Sequence, residues 1–521
     1  MPDDPKFPSK DLPYSPPKDH FNLGRATVPP ALHDPEQRKR WGLPDSDHEP
    51  GPYMIELNLQ YSAGVQKAAE AFLDLYKKVL GPAAEQRRAV PISNTYFRCN
   101  ITVAEWKTLT RIDEEKEDAR DRVIYKIWPD FPVSPLIDRS VATVKADAAG
   151  RSYSATGSNI CWAVIDSGID RTHLHFGDPT RNPGFNTLLD PSVKDLHRDF
   201  TLDDPQPVPP ETNTALVDGF GHGTHVAGII AGGLNQNLQI GRDVLVYENC
   251  FESDPSGSNK TITLKPRGAL AVDLRGVAPQ CKLVSLKVLD ANGNGRTSNI
   301  MRALQYVREK VNGDPKFLRI HGVNLSLGYE FDAEMFACGQ SPLCIEVDRL
   351  VKSGVVVVVA AGNTGYAQIQ TLQRMTKIRV ASTINDPGNS TLAITVGATH
   401  RDSPHTYGVS YFSSAGPTGD GRLKPDIVAP GERITSCAAG RKLDRLGLPP
   451  NTCAYVDDSG TSMAAPHVSG AIAAFLSIRR EFLQRPDEVK RIFMESATPL
   501  GRERYFEGRG LVDLMRAIQS V

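Results

Sequence analysis

Residues 160–165 have the sequence Ile-Cys-Trp-Ala-Val-Ile, and Asp166-Ser167-Gly168 follow directly. An unbroken apolar run bounded by a Ser-Gly pair predicts a strand that is buried on both faces of a parallel sheet. Similar apolar runs follow along the chain, at residues 283–288, 323–327, 355–361 and 392–396. Helical stretches separate several of these runs, at residues 299–311 and 346–352 among others. Strands that alternate with helices predict an α/β domain whose mainly parallel sheet is flanked by helices on both faces.

The chain before this domain divides into three segments of different composition. Residues 1–50 have many prolines and alternating charges without periodicity, which predicts a disordered or extended arm. Residues 51–130 predict a small α+β domain, because strand patterns at 53–59, 96–101 and 123–128 alternate with helical patterns at 63–80 and 102–112. Residues 131–157 contain Pro132 and Pro135 and little pattern, which predicts a linker to the large domain at 158–521.

Charge and hydropathy exclude several classes of protein. The 521 residues include 60 basic and 61 acidic side chains, a balance that gives no reason to expect nucleic acid or an anionic membrane as partner. No apolar run approaches the ~18 to 20 residues of a membrane span. Residues 1–17 are polar and lack the apolar core of a secretory signal. We therefore expect a cytoplasmic or otherwise intracellular protein that has no membrane or nucleic-acid partner.

The eight cysteines are too few for a disulfide scaffold in a chain of this length. Cys161 lies inside an apolar strand pattern, where a buried thiol is the ordinary interpretation. Cys338 with Cys344, and Cys437 with Cys453, lie in loop-like stretches in which a disulfide could form. Without a secretory signal, reduced thiols are the expectation.

Two segments place polar residues at positions where an α/β sheet collects its functional groups. Asp166 follows the first buried strand, although an aspartate there is by itself more often a turn former or helix cap. His222 lies in Gly-His-Gly-Thr-His-Val-Ala-Gly at 221–228, a pattern for a loop that leads into a helix. His222 and His225 also have the spacing of a metal pair, but the glutamate of the pattern H-E-x-x-H and a third ligand are absent from the sequence. Metal catalysis is therefore not expected.

The third segment is Gly-Thr-Ser-Met-Ala-Ala-Pro-His-Val-Ser-Gly at residues 460–470. Its small residues precede an apolar stretch at 471–476 and predict the start of a helix, with Pro466 in the first turn, where a missing N–H costs little. Ser462 would then lie near a helix N-terminus, where backbone N–H groups and the helix dipole favour negative charge. The alternative interpretation is a simple capping residue.

Together the three segments are far more specific than any one of them. Their order, Asp166, His222, Ser462, is one of three chain orders in which the same catalytic geometry recurs on unrelated folds. The chain resembles the subtilisin-like (subtilase) family of serine proteases from about residue 158 to its C-terminus. The motifs that carry this resemblance are D-S-G-I-D at 166–170, H-G-T-H-V-A-G at 222–228, V-N-L-S-L-G at 323–328, A-A-G-N at 360–363, L-K-P-D-I-V-A-P-G at 423–431 and G-T-S-M-A-A-P-H-V-S-G at 460–470.

The resemblance implies a serine endopeptidase with a role for each polar residue. Ser462 is expected to be the nucleophile, His222 the general base, and Asp166 the carboxylate that orients the histidine. Asn363 is expected to donate its side-chain amide to the oxyanion. This chemistry requires no cofactor; structural calcium binds members of the family, but no acidic ligand cluster is evident in the sequence.

The same resemblance implies a set of substrate-binding residues, and the expected partners are protein or peptide substrates. An extended substrate would add as a strand between two edge segments, and a third segment would line the primary specificity pocket. The edge segments are Gly293, Asn294 and Gly295, and Ser326, Leu327 and Gly328; the pocket segment is Ala360, Ala361 and Gly362. Residues 384–390 are expected to contribute the floor of this pocket.

Outside these motifs, two regions carry further expectations. Residues 51–130 resemble the inhibitory propeptide of the family, a ferredoxin-like domain whose tail, here about 129–139, would pass through the active site. The chain would then be a zymogen inhibited by its own N-terminal domain, and cleavage would fall within 128–144. Residues 234–275 are an insertion relative to compact members, and their polar middle predicts a surface loop or an exosite.

Two alternatives remain open at this point. The first is a catalytically silent peptide-binding scaffold that keeps the fold; the four residues Asp166, His222, Asn363 and Ser462 argue against it, because a scaffold does not need them all. The second is an enzyme that stays inhibited until a partner displaces the N-terminal domain.

Overall fold

The computed structural model divides the chain into two compact units, Met1–Ser134 and Pro135–Val521. The structure describes residues 27–28, 30–40, 43–129, 139–253, 260–314, 316–331, 337–370 and 375–521. The first unit has one hydrophobic core, and the second has two large cores with smaller satellites.

The first unit contains a four-stranded antiparallel sheet with two main helices. Its elements are β1 (Gly51–Leu57), β2 (Val90–Pro91), β3 (Tyr96–Ile101), β4 (Ile124–Pro129), α1 (Pro35–Arg40), α2 (Val65–Leu80), α3 (Ala83–Gln86) and α4 (Val103–Glu114), with 3-10 turns at Pro30–His33 and Ala119–Asp121. The sheet order is β2-β3-β1-β4, and with α2 and α4 as the connections this order is shared with ferredoxin-like domains. Alternate residues of β1 (Tyr53, Ile55 and Leu57) enter the core.

Two sequence expectations about the flanks of this unit need correction. Part of the predicted arm is folded, because Leu32 and Leu43 join the core and the buried guanidinium of Arg38 donates to the carbonyl of Leu32 (3.0 Å) and to Asp47 (2.6 Å). These few apolar residues are too widely spaced to give a periodic pattern. Residues 1–26 of the predicted arm lie outside the described part of the chain.

The predicted linker is also partly helical. Helices α5 (Arg139–Thr143) and α6 (Ala146–Tyr153) lie within the second unit, and Val144 and Ala149 are buried in its core. These helices are too short, and their apolar residues too small, for periodicity to reveal them. Residues 130–138, which include most of the predicted inhibitory tail, lie outside the described residues.

The second unit is built on a seven-stranded parallel sheet of order β15-β14-β11-β10-β5-β9-β6. In chain order the strands of the whole second unit, in this sheet and outside it, are β5 (Cys161–Asp166), β6 (Arg198–Asp199), β7 (Leu245–Ser253), β8 (Lys260–Pro266), β9 (Lys282–Lys287), β10 (Gly322–Leu325), β11 (Val356–Ala360), β12 (Tyr366–Gln370), β13 (Met375–Arg379), β14 (Ile394–His400), β15 (Ile427–Glu432), β16 (Ile434–Ala438) and β17 (Ala454–Asp458). All five buried apolar runs of the sequence are strands of this sheet, so the predicted parallel sheet is confirmed.

Helices cover both faces of the sheet, as predicted. After α6, the helices of the second unit are α7 (His222–Ile230), α8 (Thr297–Gln305), α9 (Pro342–Lys352), α10 (Pro404–Tyr407), α11 (Arg441–Leu446), α12 (Thr461–Ile478), α13 (Pro486–Glu495), α14 (Arg504–Glu507) and α15 (Leu514–Gln519), with a π-helical turn at Tyr306–Val311 after α8. Strand β5 has alternating sides: Trp162 and Val164 enter the core with α7 and α12, whereas Ala163 and Ile165 enter the core with α8 and α9. This alternation explains the unbroken apolar run, because neither face meets water.

The inserted segment at 234–275 forms a β-hairpin rather than a plain loop. Strands β7 and β8 pair antiparallel, and β7 pairs parallel with β17, which gives a second sheet of order β16-β17-β7-β8. The β-branched and aromatic residues that flank the polar middle favour strands. The hairpin therefore extends the sheet whose strand β17 leads towards Ser462.

Helix α12 is a core helix. Among the described residues, it alone is long and apolar enough to cross a membrane, and 83% of it is buried inside the protein. The sequence predicted Pro466 in the first turn of this helix, and this prediction is wrong. Pro466 is the sixth residue of α12 and lies in the second turn.

Candidate functional site

The predicted site residues meet at one edge of the parallel sheet. Asp166 is the last residue of β5, Ser326 follows β10, and Asn363 follows β11. The segment 290–295 follows β9 in the same way. Because β11, β10, β5 and β9 are neighbours and parallel, their carboxyl ends lie at the same edge, where open α/β sheets bind ligands.

Asp166 and His222 form a hydrogen-bonded pair. The Nδ1 atom of His222 lies 2.8 Å and 2.9 Å from the two carboxylate oxygens of Asp166. The Asp166 side chain is completely buried, whereas 19% of the His222 side chain is exposed. Burial alone would lower the pKa of His222, but the charge and the hydrogen bond of Asp166 outweigh it and raise this pKa above its usual value. A buried carboxylate that holds Nδ1–H leaves Nε2 as the acceptor of the neutral ring.

The helix that carries His222 begins at this residue and packs against β5. A Cβ atom at Gly223 would lie 2.2 Å from the Gly168 carbonyl oxygen, so only glycine permits this close approach. Small residues in this segment were expected from the sequence to allow such packing. The backbone of α7 thereby brings His222 within reach of Asp166.

Asp218 anchors the turn before α7, a role that the sequence analysis missed. Its carboxylate accepts hydrogen bonds from Gly221 N (2.7 Å), Thr224 N (2.8 Å) and the hydroxyl of Ser167 (2.8 Å). Burial raises the pKa of Asp218 although these hydrogen bonds lower it. Its distance in sequence from the helix start hides it, because a capping carboxylate usually stands directly before the helix.

Ser462 is the second residue of α12 and half-buried. Its hydroxyl donates to the carbonyl oxygen of Ser326 (3.0 Å), and the hydroxyl of Ser326 donates to the carbonyl oxygen of Ser462 (2.8 Å). The carbonyl of Ser462 is available because Pro466, four residues on, has no N–H to bond it. The backbone N–H of Ser462 belongs to the first turn, where N–H groups have no acceptor within the helix.

Asn363 lies beside the start of α12 with one end of its amide fixed. Its Oδ1 atom accepts hydrogen bonds from Thr461 N (2.9 Å) and the Thr461 hydroxyl (3.1 Å). The residue is exposed. A Cβ atom at Gly460 would lie 3.4 Å from Nδ2 of Asn363 and 3.6 Å from the backbone nitrogen of Ser462, so these two donors border the same point. An amide N–H and a helix N-terminus at one point form an arrangement that suits an oxyanion.

The predicted substrate-binding residues differ in how far they are exposed to solvent. Those that are buried are Ser326, Ala360 and Ala361, and those that are partly or fully exposed are Gly293, Asn294, Gly295, Leu327, Gly328 and Gly362. Within the predicted pocket floor, Asn385 N donates to the carbonyl of Ala361 (3.0 Å). Gly293 packs against the ring of Phe220, and this ring lies 6.4 Å from the ring of His222.

The second histidine of the His222 motif has a structural role. His225 is fully buried and its Nε2 contacts the carbonyl of Val456 (3.0 Å); burial lowers its pKa to about 3. Among the described residues there is no group of three or more His, Cys, Asp or Glu side chains that could hold a metal ion. All eight cysteines are free thiols, so neither of the two disulfides that the sequence left open is present.

Comparison with known proteins points to one family. The family model described as the subtilase family matches residues 157–511. Subtilisin E of Bacillus subtilis (strain 168) is 31% identical over 379 residues, which are 73% of this chain and 70% of that protein. A subtilisin of Bacillus pumilus is 31% identical over 73% of this chain and 98% of its own length. Serine protease AprX of Bacillus subtilis (strain 168) is 29% identical over 71% of this chain and 68% of that protein.

Proposed function

Because the chain belongs to the subtilase family of serine endopeptidases, we propose that it cuts peptide bonds through an acyl-enzyme formed on Ser462. His222 is the general base and Asp166 the carboxylate that orients it. The observation that carries this proposal is the hydrogen bond of 2.8 Å between His222 Nδ1 and the buried carboxylate of Asp166, at the edge of the sheet where the first turn of α12 carries Ser462.

The first half of the reaction follows from the chemistry of these groups. A serine hydroxyl is a weak nucleophile at neutral pH, so it needs a base. The Ser462 hydroxyl, which donates to the Ser326 carbonyl in the free enzyme, turns to Nε2 of His222, and this atom takes its proton as Oγ attacks the substrate carbonyl. The imidazolium that forms is stabilised by Asp166, whose charge already raises the pKa of His222. Because the buried carboxylate of Asp166 stabilises the imidazolium of His222, it lowers the barrier to attack.

The developing oxyanion is bound by Nδ2 of Asn363 and the backbone N–H of Ser462. Both donors are in position before the reaction, since Thr461 holds Oδ1 of Asn363 and α12 holds the backbone of Ser462. His222 then gives its proton to the leaving amine, and water hydrolyses the ester with the same base. Protein or peptide substrates are bound as an added strand along Ser326–Gly328 and Gly293–Gly295.

We further propose that the first unit inhibits the enzyme until it is removed. The support for this step is the order of elements in residues 51–129, with its four-stranded sheet, and the position of this unit directly before the subtilase domain. Cleavage within residues 128–144 would then release the active enzyme. The rival function, a silent peptide-binding scaffold, has no use for the Asp166–His222 hydrogen bond.

The decisive experiment treats the purified full-length chain and a Ser462→Ala variant with a serine-directed fluorophosphonate probe, followed by intact mass determination. We expect labelling of the wild type alone, with loss of a mass that corresponds to cleavage within residues 128–144. Labelling of full-length protein without mass loss would contradict self-processing and keep the protease. Absence of labelling even after removal of the first unit would establish the scaffold instead.

A further inference from the structure

A cavity of about 340 Å³ lies beside the candidate site in the second unit. Helix α11 supplies Lys442 and Arg445 to its wall, and the end of β17 supplies Asp458 and Ser459. Its remaining wall includes Tyr411 and residues of the inserted β7–β8 hairpin. We call it the α11 cavity. Because the hairpin contributes to it, this cavity depends on the insertion.

The α11 cavity is adjacent to His222. The backbone of Arg441, the first residue of α11, donates to the carbonyl of Gly219 (3.1 Å), and a Cβ atom at Gly221 would lie 2.1 Å from the carbonyl oxygen of Ala439. The turn that carries His222 is therefore in direct contact with α11. Both Lys442 and Asp458 act electrostatically on the pKa of His222.

The position of the cavity indicates which part of a substrate it receives. His222 returns its proton to the leaving amine, so the part of the substrate that departs with the new amino terminus leaves past this histidine. Ser459, which lines the cavity, stands three residues before Ser462 in the chain. A side chain shortly after the cut bond can thus reach the cavity.

The charged side chains that line the cavity differ in whether they already have a partner of opposite charge within the protein. Asp458 is paired with Lys442, and its other carboxylate oxygen accepts from Ser459 N (2.8 Å). Asp457 is buried, and one of its carboxylate oxygens accepts a hydrogen bond from the Thr435 hydroxyl (2.5 Å). Its other carboxylate oxygen lies 3.8 Å from a guanidinium nitrogen of Arg401. Arg445 is exposed and, among the described residues, makes no ion pair.

A pair that is already satisfied offers little to a ligand, whereas an unpaired guanidinium offers five donors in a fork that matches a carboxylate. The aromatic ring of Tyr411, which is 61% exposed, and the side chain of Leu264 provide apolar walls for the methylene groups of such a side chain. The available charge of the cavity is therefore positive.

Resting on the endopeptidase function proposed above, we propose that the α11 cavity binds an acidic side chain, aspartate or glutamate, located within the first residues after the cut bond. Arg445 is its cationic partner. The substrates of the enzyme are then polypeptides with an acidic residue on the leaving side. This preference is a property of the cavity and does not depend on which side chain fills the primary specificity pocket.

The test incubates the full-length chain with a peptide library derived from a whole proteome and identifies the new termini by mass spectrometry. For the wild type we expect Asp and Glu to be enriched about fivefold within the first three positions of the new amino termini, the ratio that one partly solvated charge pair provides. Arg445→Gln should lose this enrichment, and Arg445→Glu should replace it with an enrichment of Lys and Arg. Arg491→Gln, which removes an exposed arginine on α13, is the matched control and should keep the wild-type profile.

The failures of the two proposals are distinguishable. If the wild type cuts the library without acidic enrichment on the leaving side, or if Arg445→Gln keeps that enrichment, the cavity proposal is wrong and the endopeptidase stands. If neither the wild type nor Arg491→Gln cuts any peptide, even after the first unit has been removed, the endopeptidase proposal fails and the cavity proposal fails with it.

Discussion

Ser462 and Ser326 exchange two hydrogen bonds, one from each hydroxyl to the carbonyl oxygen of the other residue, at 3.0 Å and 2.8 Å. Behind them the side-chain amide of Asn324 donates to the Ser326 hydroxyl (2.8 Å) and accepts from the hydroxyl of Ser469 (2.9 Å). Helix α12 is thus fastened to β10 both at Ser462 and about two turns later, at Ser469. The position of Ser462 relative to the sheet is set by this buried chain of hydrogen bonds.

Substitution Ser326→Ala removes the centre of this chain. It takes the donor from the Ser462 carbonyl and leaves the buried amide of Asn324 without its acceptor, so we expect the free energy of unfolding to fall by about 1–3 kcal/mol. A displaced Ser462 should lower kcat about 10- to 100-fold with a smaller change in KM. Thermal unfolding and steady-state kinetics on a peptide substrate measure the two effects.

The matched control for this prediction is Ser410→Ala. Ser410 is equally buried and donates one hydrogen bond, to Glu432 (3.0 Å), away from Ser462. It should lose stability while kcat stays near the wild-type value. Equal kcat in the two alanine variants would show that the link to Ser326 does not position Ser462.

Pro466 is the origin of the free carbonyl on Ser462. Substitution Pro466→Ala restores an N–H in the second turn of α12, and this N–H would compete with the Ser326 hydroxyl for the Ser462 carbonyl oxygen. We expect unfolding to require about 1–3 kcal/mol more free energy, since proline inside a helix costs about 3 kcal/mol. We also expect a lower kcat, because the first turn is drawn away from Ser326.

Pro486→Ala provides the comparison for this variant. Pro486 is the first residue of α13, where the N–H has no acceptor within the helix, so its replacement should change stability little. A Pro466→Ala variant that is no more stable than the wild type, or that has full activity, would contradict the proposed role of the proline.

The sequence predicted the large domain well because its strands are buried on both faces. Continuous apolar runs such as 160–165 are visible without an alignment, and Asp166 follows directly at the end of one of them. The site residues could be grouped because the carboxyl ends of parallel strands share an edge. The role of each residue, by contrast, came from the resemblance and not from any local pattern.

The features that escaped prediction depend on contacts between distant segments. Asp218 caps α7 from outside the usual capping position, and Ser326 was expected only as a substrate-binding edge although it also anchors Ser462. Pro466 was expected in the first turn, because a proline there loses no hydrogen bond within the helix. The helix instead begins at Thr461, which places Pro466 in the second turn. A local rule does not include the hydrogen bond from Ser326 that offsets the missing N–H.

Asn363 offers a direct test of the oxyanion site. Substitution Asn363→Ala removes the proposed donor to the oxyanion. Loss of such a donor from a subtilisin costs about 10²- to 10³-fold in kcat, and we expect a loss of this size here. KM should change little because the donor acts mainly on the oxyanion. Asn385→Ala, which alters a neighbouring side chain bonded to Thr364, is the control and should affect KM more than kcat. A large rise in KM with unchanged kcat for Asn363→Ala would assign Asn363 to substrate binding instead.

The raised pKa of His222 predicts opposite effects of pH on activity and stability. The general base must be neutral, so kcat/KM should rise with pH through a titration that lies above the usual range of histidine. A pKa that is higher in the folded than in the unfolded state means that protonation favours folding. The contribution of His222 to stability is therefore complete below the unfolded pKa and is lost as pH rises through the folded pKa.

Substitution Asp166→Asn removes the charge that raises this pKa and leaves burial, which lowers it. The acidic limb of the kcat/KM profile should then move to lower pH, and kcat should fall by about 10⁴-fold because the ring loses its orienting carboxylate. Asp420→Asn, which removes a carboxylate paired with Arg422 on the surface, should leave the limb in place. If the Asp166→Asn variant keeps the wild-type limb, the group that titrates is not His222, and the assignment of the general base is wrong.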